Sequence, residues 1–270
     1  MPERLGIIAG NGRLPLLIAD QARQEGYEVV AVALGEEADR AIEKIAHRVY
    51  WIGITQLGRI IRTLRDEGVI RAVMAGQVTK RRMYLSDILR LDTAAARLWA
   101  SLPDKKGMTI LRAVADELQR HGIELQDSTL FMKPHLAVPG PMTGRRPSEA
   151  QAADVAFGFR AAKLMADEDI GQSVAVKDLS VVAVEAVEGT DACIRRAGEL
   201  AGKGFVLVKV SMKNHDMRFD VPVIGMRTLE TLSAAGAAVI AVEAGKTLIL
   251  DRESVLTEAD RLGLVVMGVS

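Results

Sequence analysis

The twelve residues from Lys209 to Asp220, K-V-S-M-K-N-H-D-M-R-F-D, bring together Lys209, Lys213, His215, Asp216, Arg218 and Asp220. Cations that can hold phosphate stand beside carboxylates that can hold a metal or orient water. Hydrolysis of a phosphoanhydride needs that mixture: cations and a metal offset the charge that develops on oxygen, and a water is aligned for attack. Asp220 poses the sharpest question. It falls in M-R-F-D-V-P-V-I-G, Met217 to Gly225, where Phe219, Val221, Val223 and Ile224 are material for a buried strand. A carboxylate there is costly unless it is paired, hydrogen-bonded or bound to a metal. The residues alone leave two accounts open. One is a structural ion pair with Arg218, which shares its strand face at i, i+2. The other is a functional group held by rigid neighbours. Pro222 fixes φ and withdraws a backbone donor, which suits a strand end or edge near a cleft.

A second acidic group lies upstream in V-E-A-V-E-G-T-D, Val184 to Asp191. A strand runs into Gly189, and Thr190 or Asp191 is placed to cap the helix that follows. Alternation from Val181 puts Val181, Ala183 and Glu185 on one strand face. Glu185 and Glu188 flank the turn, and carboxylates near a helix start can hold a divalent cation through oxygen. The same pattern also suits a capped turn with solvated acids.

Two glycine-bearing loops precede these. G-N-G-R-L-P, Gly10 to Pro15, lies between a strand and a helix. Gly10 and Gly12 let a ligand approach the backbone, and the helix start offers free N–H groups to an anion. A dinucleotide fingerprint requires a third glycine at position 15, which is proline here, so the loop is compatible with a nucleotide but is not a NAD signature. It is equally compatible with a tight turn. G-Q-V-T-K-R-R, Gly76 to Arg82, follows another strand, and in an open parallel sheet it lies on the same rim as Gly10–Gly12. Lys80, Arg81 and Arg82 suit phosphate there, or simply a solvated basic loop.

The elements that must position these residues follow from periodicity. Strands are expected over 4–9, 28–34, 48–52 and 71–75, with helices over 14–24 and across Leu57, Ile60, Ile61 and Leu64. That order predicts a parallel sheet with helices on its faces. Helices near 85–100 and 108–121 complete an N-terminal, Rossmann-like nucleotide-binding domain over 1–132. Residues 133–147 hold four of the chain's eight prolines and read as an interdomain linker. A C-terminal catalytic α/β domain over 148–270 is expected beyond it. Its helices fall at 148–166, 190–202, 227–235 and 252–262, and its strands at 173–177, 180–186, 205–210, 238–243, 247–250 and 264–268.

Composition narrows the classes. The 270 residues are 49% hydrophobic, enough for a substantial core, and carry 35 basic against 35 acidic residues. A neutral balance with 4% aromatics argues against a nucleic-acid partner. One cysteine, Cys193, excludes an internal disulfide, and the four histidines lack metal-ligand spacing. No apolar run reaches the roughly 18–20 residues of a membrane span. No secretory leader is evident, so a soluble cytoplasmic protein is expected.

Together these stretches resemble the UDP-2,3-diacylglucosamine pyrophosphatases of the LpxI type, enzymes of lipid A biosynthesis. The resemblance runs nearly end to end. It is carried by L-G-I-I-A-G-N-G-R-L-P at 5–15, A-G-Q-V at 75–78, I-L-R-A-V-A-D-E-L at 110–118 and D-I-G-Q-S-V-A-V at 169–176. V-V-A-V-E-A-V-E-G-T-D at 181–191, M-R-F-D-V-P-V-I-G at 217–225 and the tail from Ala241 to Gly268 extend it. Two departures stand out: K-N-H-D at 213–216, where the family pattern reads K-P-x-Q-D, and D-K-K-G-M-T at 104–109, a region often acidic in the family.

The resemblance implies cleavage of UDP-2,3-diacylglucosamine to UMP and 2,3-diacylglucosamine 1-phosphate, with Mg²⁺ or Mn²⁺, at a site between two domains. It makes Asp220 the essential aspartate, and Gly10, Gly12, Gly189, Thr190 and Asp191 contacts to ligand. On that basis Asp220, Arg218 and Lys209 are the catalytic candidates, with Lys209 and Arg218 on phosphate. Gly10, Gly12, Gln77, Gly189 and Thr190 are the nucleotide-binding candidates. Asp220, Glu185, Glu188 and Asp191 are the metal candidates. The diacylated substrate implies transient contact with the inner membrane surface, and a homodimer is compatible with the helix faces. The alternative is a non-catalytic nucleotide- or lipid-binding regulatory protein derived from the same family.

Overall fold

The computed structural model describes residues 2–35, 37–78, 91–213, 216–219 and 221–270. They form two compact units. The first comprises Met1–Met132 with Asp216–Asp220, and the second Lys133–His215 with Val221–Ser270.

The first unit is built on strands β1 (Arg4–Ala9), β2 (Glu28–Leu34), β3 (Arg48–Ile52), β4 (Arg71–Ala75) and β5 (Glu124–Leu125) in the order β3-β2-β1-β4-β5. Every pairing is parallel. β1 and β2 are buried along almost their whole length, as near-continuous apolar runs covered on both faces must be. Helices α1 (Leu14–Gln24), α2 (Leu57–Asp66), α3 (Thr93–Ser101) and α4 (Gly107–Arg120) accompany them. The α2 stripe Leu57, Ile60, Ile61 and Leu64 is buried as its spacing predicts. The strand order reverses between β1 and β4, so the loops after these two strands flank the crevice where such sheets bind ligands. At the opposite end, the Glu67 carboxylate gathers Arg4, Arg48 and Tyr50.

The second unit has a six-stranded mixed sheet: β6 (Gly140–Pro141), β13 (Val265–Val269), β11 (Val239–Glu243), β9 (Val206–Lys209), β7 (Ser173–Lys177) and β8 (Ser180–Val184), in that spatial order. β9, β11 and β13 are mutually parallel, and β6, β7 and β8 run antiparallel to their neighbours. Helix α5 (Glu149–Asp167) packs one face through Val155, Ala162 and Ala166. Helices α6 (Thr190–Ala201), α7 (Met226–Ala235) and α8 (Arg252–Leu262) close the other around Phe205, Leu207 and Ile240. A short parallel pair, β10 (Val223–Ile224) with β12 (Leu248–Ile249), completes the unit.

The two α/β halves and the parallel first sheet match the expected fold class. Three local expectations change. Residues 133–147 pack with the second unit: Gly140–Pro141 pair with β13, and Thr143 Oγ1 accepts from the Val266 N–H. Proline lacks a donor but tolerates a sheet edge, so a proline-rich stretch can still be strand there. The strand expected through 217–225 shrinks to Val223–Ile224, because Met217–Arg218 lie in a turn closed by the Phe219 N–H on the Asp216 carbonyl. A register shift between Ala175 and Val176 breaks the β8 alternation: Val176 pairs with Val181 and Ala175 with Ala183, so Val181 is exposed while Ala183 is buried. The helix expected near 85–100 is described only as Thr93–Ser101; residues 79–90, with Lys80, Arg81 and Arg82, lie outside the described residues.

Candidate functional site

At the rim of the first unit, the loops after β1 and β4 are zipped to each other. The Gly10 N–H donates to the Ala75 carbonyl at 2.8 Å, and Asn11 and Gln77 exchange backbone bonds in both directions. A Cβ on Gly10 would stand 2.6 Å from the Gln77 carbonyl oxygen, and one on Gly76 would stand 2.5 Å from that of Asn11. Loop-on-loop packing therefore requires glycine at position 10, in keeping with the tight-turn reading of this loop. Gly12 differs: its φ is +95° and nothing lies within 4 Å of a Cβ placed there. Its need is conformational, and it borders open space ahead of α1. Gln77 is exposed.

Residues 216–219 also belong to this unit. Phe219 is buried in the cluster that holds Ala115 and Leu118 of α4. Asp216 grips Arg218 through a fork: Nε donates to Oδ1 at 2.9 Å and Nη2 to Oδ2 at 2.7 Å, while the Arg218 N–H also reaches Oδ1. Hydrogen bonding from Arg218 holds the Asp216 carboxyl below its ordinary range, and Asp216 in turn raises the guanidinium. The observed partner of Arg218 is thus Asp216. Asp220, the residue at the centre of the sequence reading, lies outside the described residues.

Ser128 was not singled out from sequence. Its N–H donates to the Met217 carbonyl at 2.9 Å. Its hydroxyl oxygen stands 2.6 Å from the Met74 carbonyl oxygen of β4 and 2.8 Å from that of Arg218, so its one proton serves two acceptors. The only local sign was D-S-T, where the Asp127 carboxylate accepts from the N–H and hydroxyl of Thr129. A partner ninety residues away leaves no sequence pattern.

In the second unit, Glu185, Ser173 and Lys209 fall in one cross-strand row, since Ser173 pairs with Lys209 and accepts the Glu185 N–H. Thr190 joins its two ends: its hydroxyl donates to Glu185 Oε1 at 2.8 Å and accepts from Lys209 Nζ at 2.9 Å. Lys209 is 6% exposed, and Nζ stands 3.9 Å from Glu185 Oε2. That oxygen and the Ser173 hydroxyl are buried without a hydrogen-bond partner among the described residues. The cap of α6 is Gly189, with φ +85° and no side-chain hydrogen bond, so neither Thr190 nor Asp191 caps it. The first-turn N–H groups of this twelve-residue helix lack a side-chain cap beside a buried ammonium. Cys193 lies in the same helix, but burial pushes its thiol up to about 12, which removes it as a nucleophile.

The three acidic candidates here are already engaged. Glu188 pairs with Arg196 at 2.9 Å, and Asp191 with Arg227 at 2.7 Å. Burial pushes the Glu188 carboxyl up, yet its own N–H and Arg196 hold it lower overall. Among the described residues no group of three or more His, Cys, Asp or Glu side chains is arranged for a metal ion. Glu185 Oε2 is buried with no hydrogen-bond partner among the described residues and has an ammonium nearby. These carboxylates do not by themselves form an all-protein cage. They fit at most a cation held by one or two carboxylates and a ligand's phosphates, the usual arrangement for Mg²⁺.

A parallel sheet with linked glycine loops at its switch point, joined to a second α/β unit with a buried lysine at an uncapped helix start, defines a two-unit α/β protein with polar sites at strand ends. Residues 4–135 match the model of the LpxI N-terminal domain, and residues 138–267 that of the LpxI C-terminal domain. The UDP-2,3-diacylglucosamine pyrophosphatase LpxI of Caulobacter vibrioides is 33% identical over 99% of this chain and 98% of its own. The chain belongs to the LpxI family. Similar solved structures include CobK precorrin-6A reductase, at 15% identity over 98% of this chain and 86% of that one, with a TM-score of 0.28. They also include the biotin carboxylase domain of a thermophilic 2-oxoglutarate carboxylase, at 14% identity and TM-score 0.28, over 65% of this chain. This chain spans only 35% of the length of that domain's chain. Likenesses this slight carry no argument about fold or function.

Proposed function

We propose that this protein hydrolyses the pyrophosphate bond of UDP-2,3-diacylglucosamine, consuming one water and releasing UMP and 2,3-diacylglucosamine 1-phosphate. The observation that carries the reading is the Lys209–Thr190–Glu185 cluster at the uncapped start of α6, in a chain that belongs to the LpxI family along its length. A buried ammonium beside free helix N–H groups favours a phosphate oxyanion there. Arg218, its guanidinium plane fixed by Asp216, is the second phosphate partner. The rim loops of the first unit, with Gly12 and Gln77, are the proposed contacts for the nucleotide.

Asp220 is proposed as the carboxylate that orients the attacking water or binds a cation. Mg²⁺ or Mn²⁺ would be held by Asp220 and Glu185 with the substrate's own phosphates, and when bound supplies charge neutralisation on the phosphoryl oxygens. Glu188 and Asp191 are each paired with an arginine, which offsets the negative charge they would offer that cation. The substrate's two acyl chains imply that the protein meets the inner membrane surface transiently from the cytoplasmic side. No described helix is long and apolar enough to cross it.

The test is UMP release from UDP-2,3-diacylglucosamine by the purified protein, with Mg²⁺ or Mn²⁺ and with a chelator. Metal-dependent release is expected. Tight binding of UDP with no release under any condition would replace the enzyme with the regulatory alternative.

A further inference from the structure

We propose that Ser128 is a positioning residue that acts through Arg218; this rests on the reading of Arg218 as a phosphate partner. Ser128 is 3% exposed and makes two bonds to the segment it holds. Its N–H takes the Met217 carbonyl and its hydroxyl the Arg218 carbonyl, at 2.9 and 2.8 Å. The same hydroxyl reaches the Met74 carbonyl in β4, the strand that leads directly to Gly76 and Gln77. One serine thus ties the Arg218 backbone to the strand end at the switch point.

Two further restraints act on the same arginine. Asp216 fixes Nε and Nη2, and Phe219, the next residue, is 1% exposed in the core of the first unit. Backbone, guanidinium plane and following side chain are therefore all held. Nη1 has no hydrogen-bond partner among the described residues, and the nearby Asp116 carboxylate acts on the guanidinium only through its charge. Each restraint removes a freedom that a long side chain would otherwise lose on meeting its ligand. Placement at this level matters, because displacements of about 1 Å at a reacting centre can cost on the order of a hundredfold in rate.

The experiment is a double-mutant cycle on the full-length protein, read as kcat and KM for UMP release and accompanied by thermal unfolding of each variant. Ser128→Ala in the wild-type background should lower kcat/KM by about tenfold. In the Arg218→Ala background the same change should cost less than about twofold, since its effect runs through a side chain already absent. Ser128→Thr, which keeps the hydroxyl, should restore most of the turnover. Arg218→Lys replaces Arg218→Ala as the background if the latter's rate is too low to read, and Ser128→Cys replaces Ser128→Ala if that variant does not fold. Equal losses in both backgrounds would overturn the proposal, as would unchanged turnover in Ser128→Ala while Arg218→Ala is impaired. Wild-type turnover in Arg218→Ala would overturn the phosphate-partner reading together with it.

Discussion

At the residue scale, Lys209 and Glu243 show how the second unit spends its buried charge. Lys209 is buried with a hydroxyl at 2.9 Å and a carboxylate oxygen at 3.9 Å, a geometry that leaves its ammonium incompletely paired. Lys209→Met is therefore expected to lower kcat/KM for UMP release by about a hundredfold, the usual loss when one oxyanion-stabilising donor is removed. Unchanged kinetics would move the phosphate elsewhere. Glu243 is structural by contrast. Burial pushes its carboxyl up, but Lys246, Lys163 and the Ser211 backbone and hydroxyl outweigh this and hold it below its ordinary range. A carboxyl depressed in the folded state stabilises fully above its unfolded value, about 4.3, and that contribution is lost as pH falls through the folded value. Urea unfolding across pH should show this acid limb, and Glu243→Gln should flatten it while costing about 2 kcal/mol at neutral pH. Glu243 drew no notice in sequence, whereas the candidate roles of Lys209 and Thr190 were legible there. Their partners were not, because Thr190 and Lys209 meet only once β7, β8 and β9 are in register.

At the element scale, the loops after β1 and β4 carry the clearest contrast. Glycine spacing in G-N-G marked a strand-to-helix loop, and β1, α1 and β4 formed where their apolar periodicity placed them. The two glycines nonetheless do different work. Gly10→Ala drives a methyl into the Gln77 carbonyl oxygen at 2.6 Å, between backbones already bonded to each other. Gly12→Ala meets no atom and is strained only by its φ of +95°. Gly10→Ala is expected to destabilise by about 2–3 kcal/mol and Gly12→Ala by about 1 kcal/mol, as thermal or urea unfolding would register. The reverse ranking would mean that the two loops do not hold each other as described. A sequence cannot distinguish these glycines, since the distinction depends on a carbonyl sixty-seven positions away. The bulge in β8 escaped for a related reason, since it is decided by the neighbouring strand β7.

At the scale of the whole molecule, the division into two units does not follow the chain once through. The second half returns Asp216–Asp220 to the first unit, and Phe219 completes a core built mostly from residues before 132. Apolar patterning revealed both α/β halves, but not this return, because the alternation through 217–225 reads equally well as a strand of the second half. Phe219→Ala is expected to cost about 3–5 kcal/mol, and residues 1–132 expressed alone should be destabilised by at least as much. A fragment 1–132 with the stability it has in the full chain would contradict that division. The same return places Arg218 and Phe219 on the unit that holds the Gly10–Gly12 and Gly76–Gln77 loops.

The proposed pyrophosphatase chemistry depends on Asp220. The most direct measurement is UMP release from UDP-2,3-diacylglucosamine by wild type and Asp220→Ala side by side, with Mn²⁺ or Mg²⁺ and with folding of both checked by circular dichroism. Release by wild type is expected, with a loss of at least about a thousandfold in Asp220→Ala and substrate binding retained. Equal release by the two proteins would contradict it.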